Sequence, residues 1–277
     1  MIFTFEMVAI GGLTGVLSGL LGVGGGFIMI PLLIAAGFLM SGAVAVSLLY
    51  VAFTAASGAL RHLKLGTVDP VLSLILLTGA TPMVLVGSHY STVLPHQNLQ
   101  VVFALLVMGA AAAYLRWGRG AYLMTASVSQ GKGLPFPSHT LIRRRRIGNE
   151  EIIFTINIFY GLAIGACFGL ISGLLGIGGG WILVPLLVIL MRTPLRIAVG
   201  TSLLSILVPA IVGAAAHWQF GNLDLKASVP LILSGIVGAQ FGAIMLARIP
   251  RTWLERLLIF LLLITSAYML GQGLGWI

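Results

Sequence analysis

Residues 15–33 read GVLSGLLGVGGGFIMIPLL, and residues 169–187 read GLISGLLGIGGGWILVPLL. The two blocks match at a constant offset of 154 residues, so the chain is a tandem repeat. In each block, three consecutive glycines interrupt an apolar stretch and a proline follows. Apolar segments that glycine breaks at corresponding positions of two halves are the best sequence indication of the binding site of a membrane transporter.

The repeat continues beyond the glycine blocks, at an offset of 155 residues. Identical pairs at this offset are Ser47/Ser202, Gly58/Gly213, His62/His217, Gly66/Gly221, Asp69/Asp224, Gly87/Gly242 and Pro95/Pro250. We therefore predict two homologous transmembrane halves, residues 1–118 and 152–277, joined by a basic linker of residues 119–151.

The composition indicates a membrane protein. Hydrophobic residues make up 59% of the 277 residues, and charged residues only 8%, whereas soluble domains carry about 25% charged residues. Six apolar stretches are each near the roughly 20 residues that a membrane-spanning helix needs: 43–60, 70–87, 98–117, 197–216, 228–247 and 253–276. They lack the alternating pattern of a transmembrane barrel. We expect an all-α integral membrane protein.

The glycine block lies within a longer apolar stretch, residues 5–38, which is either one broken crossing or a re-entrant hairpin. With the linker in the cytoplasm, the hairpin alternative places 14 of the 15 lysines and arginines inside, whereas a single crossing places 10 inside. Positive residues favour the cytoplasmic side. We therefore predict two inverted repeats, each a glycine-broken re-entrant hairpin plus three transmembrane helices, with both termini outside. Arginines 143–146 of the linker are read as part of this topology signal, and binding of anionic lipid is an alternative.

The glycines also have a chemical consequence. Irregular backbone is tolerated in lipid only where it is buried in protein or lines a wet cavity, so the two glycine tips are expected to meet near the midplane. A new half-helix is expected to begin near Phe27 and near Trp181, with its N–H groups and positive dipole end directed at the glycines. Such a helix start binds anions. All acidic residues and histidines fall near helix ends or in loops, which argues against a cation site or a carboxylate proton relay.

The candidate substrate-binding residues are the glycines and the hydroxyl side chains near them: Ser18, Gly24, Gly25, Gly26, Ser47, Ser172, Gly178, Gly179, Gly180, Thr201 and Ser202. Weaker candidates for lining or gating the path are Phe27, Trp181, His62 and His217. The alternatives are that the glycines serve only close helix packing, that the serines bond their own backbone, and that the histidines anchor helix ends at the interface.

An enzyme is not expected. The glycines lack the Lys-Ser/Thr pair of a phosphate-binding loop, and neither metal-ligand spacing nor a nucleophile–base pair is evident in the sequence. We expect no catalytic residue, metal or cofactor.

The two blocks SGLLGVGGGFIMIPLL and SGLLGIGGGWILVPLL resemble the signature of the TauE/SafE family of sulfite and organosulfonate exporters, also called the toluene sulfonate uptake permease family. The segments AVGTSL (198–203) and GNLD (221–224) are similar to that family as well, so the resemblance covers nearly the whole chain. It implies a bacterial or archaeal inner-membrane carrier of small sulfur-containing anions. The first half departs from the pattern, because Ala45-Val46-Ser47 stands where the second half has Gly200-Thr201-Ser202. The two half-sites therefore need not be equivalent.

These observations together predict a secondary transporter, with export favoured, that binds sulfite or a small organosulfonate between the two glycine tips. An anion channel and a non-transporting membrane scaffold are the alternatives. The expected partners are the small sulfur oxyanion or organosulfonate and the lipid bilayer, without nucleic acid, and a homodimer is left open.

Overall fold

The computed structural model describes residues 2–21, 25–127, 140–147, 150–178, 180–246 and 251–276. Within these ranges the chain forms ten helices and one two-stranded antiparallel sheet. The helices of the first half are α1 (Ile2–Leu21), α2 (Gly26–Ala35), α3 (Met40–Lys64), α4 (Pro70–Val93) and α5 (His96–Ser127). The sheet consists of β1 (Thr140–Ile147) and β2 (Glu150–Asn157). The helices of the second half are α6 (Ile158–Leu175), α7 (Gly180–Ile189), α8 (Leu195–Gln219), α9 (Leu225–Leu246) and α10 (Arg251–Gly273).

The chain is a multi-pass helical membrane protein, as predicted. Eight helices of the described part are long and apolar enough to cross a membrane: α1, α3, α4, α5, α6, α8, α9 and α10. The helices that follow the glycines, α2 and α7, have only 10 residues each. The first arms of the expected hairpins, α1 and α6, are longer than half-helices, with 20 and 18 residues. Each of them packs lengthwise against a glycine-bearing helix of the other half.

Small residues make that lengthwise packing close. In the α1–α9 pair, Gly11 lies against Leu231 and Gly15 against Gly235. In the α6–α4 pair, Gly165 lies against Leu76 and Gly169 against Ala80. A Cβ added at any of these glycines would overlap backbone of the neighbouring helix, so the two helices of each pair touch through their main chains. In both pairs the contact positions rise together along the chain, so the paired helices run parallel.

Equivalent helices of the two halves instead pack antiparallel. In the α3–α8 pair, Gly58 contacts Leu203 while Gly213 contacts Leu48. In the α5–α10 pair, Gly273 lies close to Gln97, and Ser266 donates a hydrogen bond of 2.8 Å to the Ala104 carbonyl. In each case an early position of one helix meets a late position of its equivalent.

The α1–α2 segment turns back on itself. The ring of Phe3, at the start of α1, stacks 6.3 Å from the ring of Phe38 in the loop after α2. The two outer ends of the segment therefore lie together, and the same loop, only 4 residues long, leads directly into α3. We call this side of the molecule, with Phe3 and residues 36–42, the open face.

The other side carries the β-hairpin, and we call it the linker face. Asp69, which caps α4 by accepting a 2.9 Å hydrogen bond from Leu72 N, lies there beneath β1.

The sequence predicted only a basic linker over residues 119–151, whereas α5 continues to Ser127 and β2 to Asn157. Asn157 then caps α6 by accepting from Tyr160 N at 3.1 Å, so strand and helix follow one another directly.

Candidate functional site

The two glycine segments meet in the middle of the molecule. Gly25 has φ 72°, and Gly176 and Gly178 have φ 65° and 67°, a left-handed region that favours glycine. The first residue of α2, Gly26, lies directly against the carbonyl of Ile177. A Cβ on Gly26 would also lie 3.0 Å from the Gly176 oxygen. The main chains of the two halves therefore touch where the sequence placed the site.

Helix α3 holds both segments in place. Ser47 donates a 2.8 Å hydrogen bond to the Gly176 carbonyl. A Cβ on Gly178 would lie 2.6 Å from a methyl group of Val51, and one on Gly25 would lie 3.4 Å from the ring of Tyr50. These α3 residues span little more than one turn, so a single stretch of helix contacts both tips.

Two serines flank the tips at matching positions. Ser18 is buried, and its Cβ would lie 3.2 Å from a Cβ on Gly25. Ser172 is also buried, and its carbonyl accepts a 2.7 Å hydrogen bond from Gly176 N. Within the described residues the Ser172 hydroxyl has no hydrogen-bond partner. A buried hydroxyl without a partner is unfavourable, and this one is available to donate to an anion.

The hydroxyl side chains at the start of α8 are engaged elsewhere. Thr201 Oγ1 accepts a 3.0 Å hydrogen bond from the backbone N–H of Asp69. Ser202 donates to the Val199 carbonyl of its own helix at 2.8 Å. In this conformation neither hydroxyl is directed to the contact between Gly26 and Ile177.

The two histidines lie at opposite ends of the molecule. His62 is half-buried at the linker face, where its Nδ1 lies 2.8 Å from Thr67 Oγ1. His217 is buried toward the open face, where its Nε2 lies 3.2 Å from Ser91 Oγ. Each side chain joins chain segments near helix ends. The role of His62 and His217 in lining or gating the path stays a prediction.

The structure describes only some of the remaining candidate residues. Phe27 is fully buried at the start of α2, and Gly180 begins α7. Gly24 and Gly179 lie outside the described residues, as does the side chain of Trp181.

Sequence reasoning missed two polar features. Tyr50 is fully buried beside Gly25, and its hydroxyl lies 3.4 Å from Thr14 Oγ1 of α1. A signal for it existed, because Tyr50 and its equivalent Ser205 are both polar residues within apolar helices. The second feature is ionic: Arg143 and Arg145 both pair with Asp69. Among the described residues, no group of three His, Cys, Asp or Glu side chains is arranged to hold a metal.

Two proteins similar to this chain are both described as probable membrane transporters. It is 24% identical to "Probable membrane transporter protein YunE" of Bacillus subtilis (strain 168), over 97% of each chain. It is 27% identical to a "Probable membrane transporter protein" of Xylella fastidiosa (strain 9a5c), over 86% of this chain and 83% of that protein. No solved structure matches the chain significantly.

The class of protein follows from the eight apolar helices of the described ranges, the two glycine-broken segments and these relatives: this is a multi-pass membrane transporter. Over residues 7–270 the chain matches the family described as sulfite exporter TauE/SafE, and it belongs to that family. The resemblance of the two glycine blocks is thereby confirmed at the level of the family.

Proposed function

We propose that this protein is a secondary transporter that exports a small sulfur oxyanion, such as sulfite or an organosulfonate, across the inner membrane. The observation that carries the proposal is the contact of the two glycine segments, Gly26 against Ile177. It brings irregular backbone from both halves to the centre of a membrane-spanning bundle, which is tolerated only for buried or cavity-lining chain.

The chemistry around the tips suits an anion. Helix α2 begins at Gly26, and α7 begins at Gly180, so two positive helix ends start within the tips. Ser172, four residues before Gly176, adds a buried hydroxyl donor. Backbone N–H groups and hydroxyls bind oxyanions without a formal positive charge.

The proposed topology is a pair of inverted repeats with the linker in the cytoplasm. The antiparallel packing of α3 against α8, and of α5 against α10, supports inversion, since equivalent helices of parallel repeats would run in the same direction. The stacking of Phe3 on Phe38 supports a re-entrant segment, since it brings both outer ends of α1–α2 to one face. Both termini then lie on the outer side of the membrane.

Alternating access follows from this symmetry. In the structure Gly26 lies against the Ile177 carbonyl. A rocking motion of one half against the other would separate Gly26 from Ile177 and expose the tips first to one face and then to the other.

The test is flux in proteoliposomes. Purified protein is assayed with sulfite, sulfoacetate, sulfate, thiosulfate and chloride on one side of the membrane. We expect saturable flux of a sulfur oxyanion and little flux of chloride. Flux that does not saturate would instead indicate a channel. No flux of any of these anions by folded protein would overturn the proposal.

A further inference from the structure

Because the chain is a repeat, an aspartate of the first half can be compared with its equivalent in the second half. Asp69 and Asp224 are equivalent, and each caps the following helix, with Asp69 Oδ1 accepting from Leu72 N at 2.9 Å and Asp224 Oδ1 from Ala227 N at 3.2 Å. Their surroundings differ, because the Asp69 side chain is fully buried at the linker face while Asp224 is exposed at the open face. Helix capping therefore does not explain the burial of Asp69.

The β-hairpin accounts for the difference. Arg143 Nε and Arg145 Nε each donate to the same carboxylate oxygen, Asp69 Oδ2, at 3.1 Å. Alternation along β1 places both arginines on one face of the strand, opposite Phe154 and Ile152 of β2. Phe154 is buried in the apolar core. The hairpin therefore docks on the helices through an apolar and arginine-bearing face.

At the open face the corresponding position is uncovered. A cleft of about 430 Å³ is lined there by Phe3, by residues 36–39, 41 and 42, and by Gly221, Asn222 and Asp224. The equivalents of the last three are Gly66, Thr67 and Asp69 at the linker face, where Thr67 and Asp69 are buried. The hairpin thus occupies the linker-face counterpart of an open cleft.

Two guanidinium groups that converge on one oxygen form an oxyanion site. Guanidinium binds carboxylate, phosphate and related oxyanions through charge-assisted hydrogen bonds. The arginine side chains are still 30% and 29% exposed, so a dissolved anion reaches them without unfolding of the helices. Two positive charges facing one carboxylate also leave the cluster with an excess positive charge.

We propose that Arg143 and Arg145 form a second oxyanion-binding site at the linker face, and that the Asp69 carboxylate occupies it when no anion is bound. An incoming anion replaces Asp69 on the two guanidinium groups and releases the hairpin from the mouth of the transport path. The identity of the anion, sulfite or an organosulfonate, rests on the proposed function. The phosphate of an anionic lipid has the same chemistry and is a second source of such an anion.

Four variants separate this site from general electrostatics. Asp69→Asn removes the competing charge and keeps a side chain that caps helices well, and Asp224→Asn is the matched control in the other half. Arg143→Gln with Arg145→Gln removes the site. Arg144→Gln is its control, because Arg144 is exposed on the opposite face of β1.

The measurement is the distance between spin labels on the hairpin and on the helical body. Ile142 is 71% exposed and Leu65, at the end of α3, is 55% exposed. Labels are attached to Ile142→Cys and Leu65→Cys in a Cys167→Ser background, in nanodiscs of zwitterionic lipid. Sulfite is titrated against chloride of equal ionic strength, and a parallel sample contains phosphatidylglycerol without sulfite.

Sulfite is expected to lengthen the distance in the otherwise unchanged protein and in the Arg144→Gln and Asp224→Asn variants. The double arginine variant should lose the sulfite response, and Asp69→Asn should respond at about tenfold lower sulfite, because one charge-assisted competitor is gone. Absence of a response in the unchanged protein, or an equal response in the double arginine variant, would overturn the proposal. A response to phosphatidylglycerol alone would overturn the assignment to a small dissolved anion.

Flux measured on the same preparation separates the two proposals. Saturable sulfite flux without a distance change removes the second site and leaves the transporter. A distance change without flux of any sulfur anion leaves the arginine site and removes the proposed transport. Unfolded variants are recognised beforehand by their elution in size-exclusion chromatography.

Discussion

Ser47 of α3 donates its hydroxyl to the carbonyl of Gly176, 129 residues further along the chain, over 2.8 Å. The bond joins a helix of the first half to the glycine tip of the second. It satisfies a carbonyl that the end of α6 leaves without a helical partner. The equivalent residue, Ser202, instead donates to the Val199 carbonyl of its own helix, so the two halves use the same serine differently in this conformation.

Replacement of Ser47 by alanine is therefore expected to lower the free energy of unfolding by about 1 kcal/mol, since a buried carbonyl loses its donor. Thermal unfolding in detergent measures this loss. The matched variant Ser202→Ala should lose less stability, because it removes only a local bond. Equal losses in the two variants would show that the bond to Gly176 does not hold the tip.

A methyl group at Gly26 should be poorly tolerated. The contact with Ile177 involves backbone on both sides, so neither partner can rotate away, and overpacking costs about 1–3 kcal/mol. We expect Gly26→Ala to lower both the melting temperature and the rate of anion flux.

Gly12→Ala is the control for this substitution, because a Cβ at Gly12 has no heavy atom within 4 Å. Alanine is the better helix former, so this variant should be as stable as the unchanged protein or slightly more so. A Gly26→Ala protein with unchanged stability and flux would contradict the close contact of the tips.

Much of the fold is readable from the chain. The length of the apolar stretches predicted six of the eight described helices of spanning length. The other two, α1 and α6, were expected to be short arms of the hairpins. The repeated glycines predicted segments that break and meet. The structure explains why glycine is needed there: Gly25, Gly176 and Gly178 each have a positive φ, which residues with a side chain rarely adopt. The packing of α1 against α9 and of α6 against α4 was not predicted. A small residue indicates that a helix packs closely, but it does not indicate which helix is the partner.

The β-hairpin was not predicted, for a physical reason. A strand is recognised by alternation of apolar and polar residues, and the docked face of β1 presents Arg143 and Arg145 in place of apolar side chains. Four consecutive arginines therefore hide the period. The partner that makes this face stable, Asp69, lies 74 residues before Arg143, and only the folded chain brings the two together.

The unpartnered hydroxyl of Ser172 leads to a prediction in which binding and stability separate. Ser172→Ala removes a buried donor that has no hydrogen-bond partner among the described residues, so the melting temperature should stay the same or rise slightly. If the hydroxyl donates to the bound anion, the half-saturation concentration for sulfite flux should increase about tenfold.

Ser234→Ala is a matched control for Ser172→Ala. Ser234 donates to the Pro230 carbonyl of its own helix at 2.8 Å, and it lies in α9 outside the tips. Its loss should leave the half-saturation concentration unchanged. An unchanged value for Ser172→Ala as well would remove Ser172 from the site.

The orientation of the two halves in the membrane is tested by labelling from the two sides. Single cysteines at Leu65 and at Trp276 are placed in a Cys167→Ser background and treated in intact cells with a reagent that does not cross the membrane. Trp276 is 78% exposed near the end of the chain, and Leu65 is 55% exposed at the linker face. With inverted halves and a cytoplasmic linker, Trp276→Cys is labelled in intact cells and Leu65→Cys only after the cells are opened. Parallel halves would place both positions in the cytoplasm. Trp276→Cys would then be protected in intact cells and labelled only after lysis, and this result would exclude the inverted arrangement. Labelling of Leu65→Cys in intact cells would instead reverse the orientation of the whole protein and place the arginine hairpin outside.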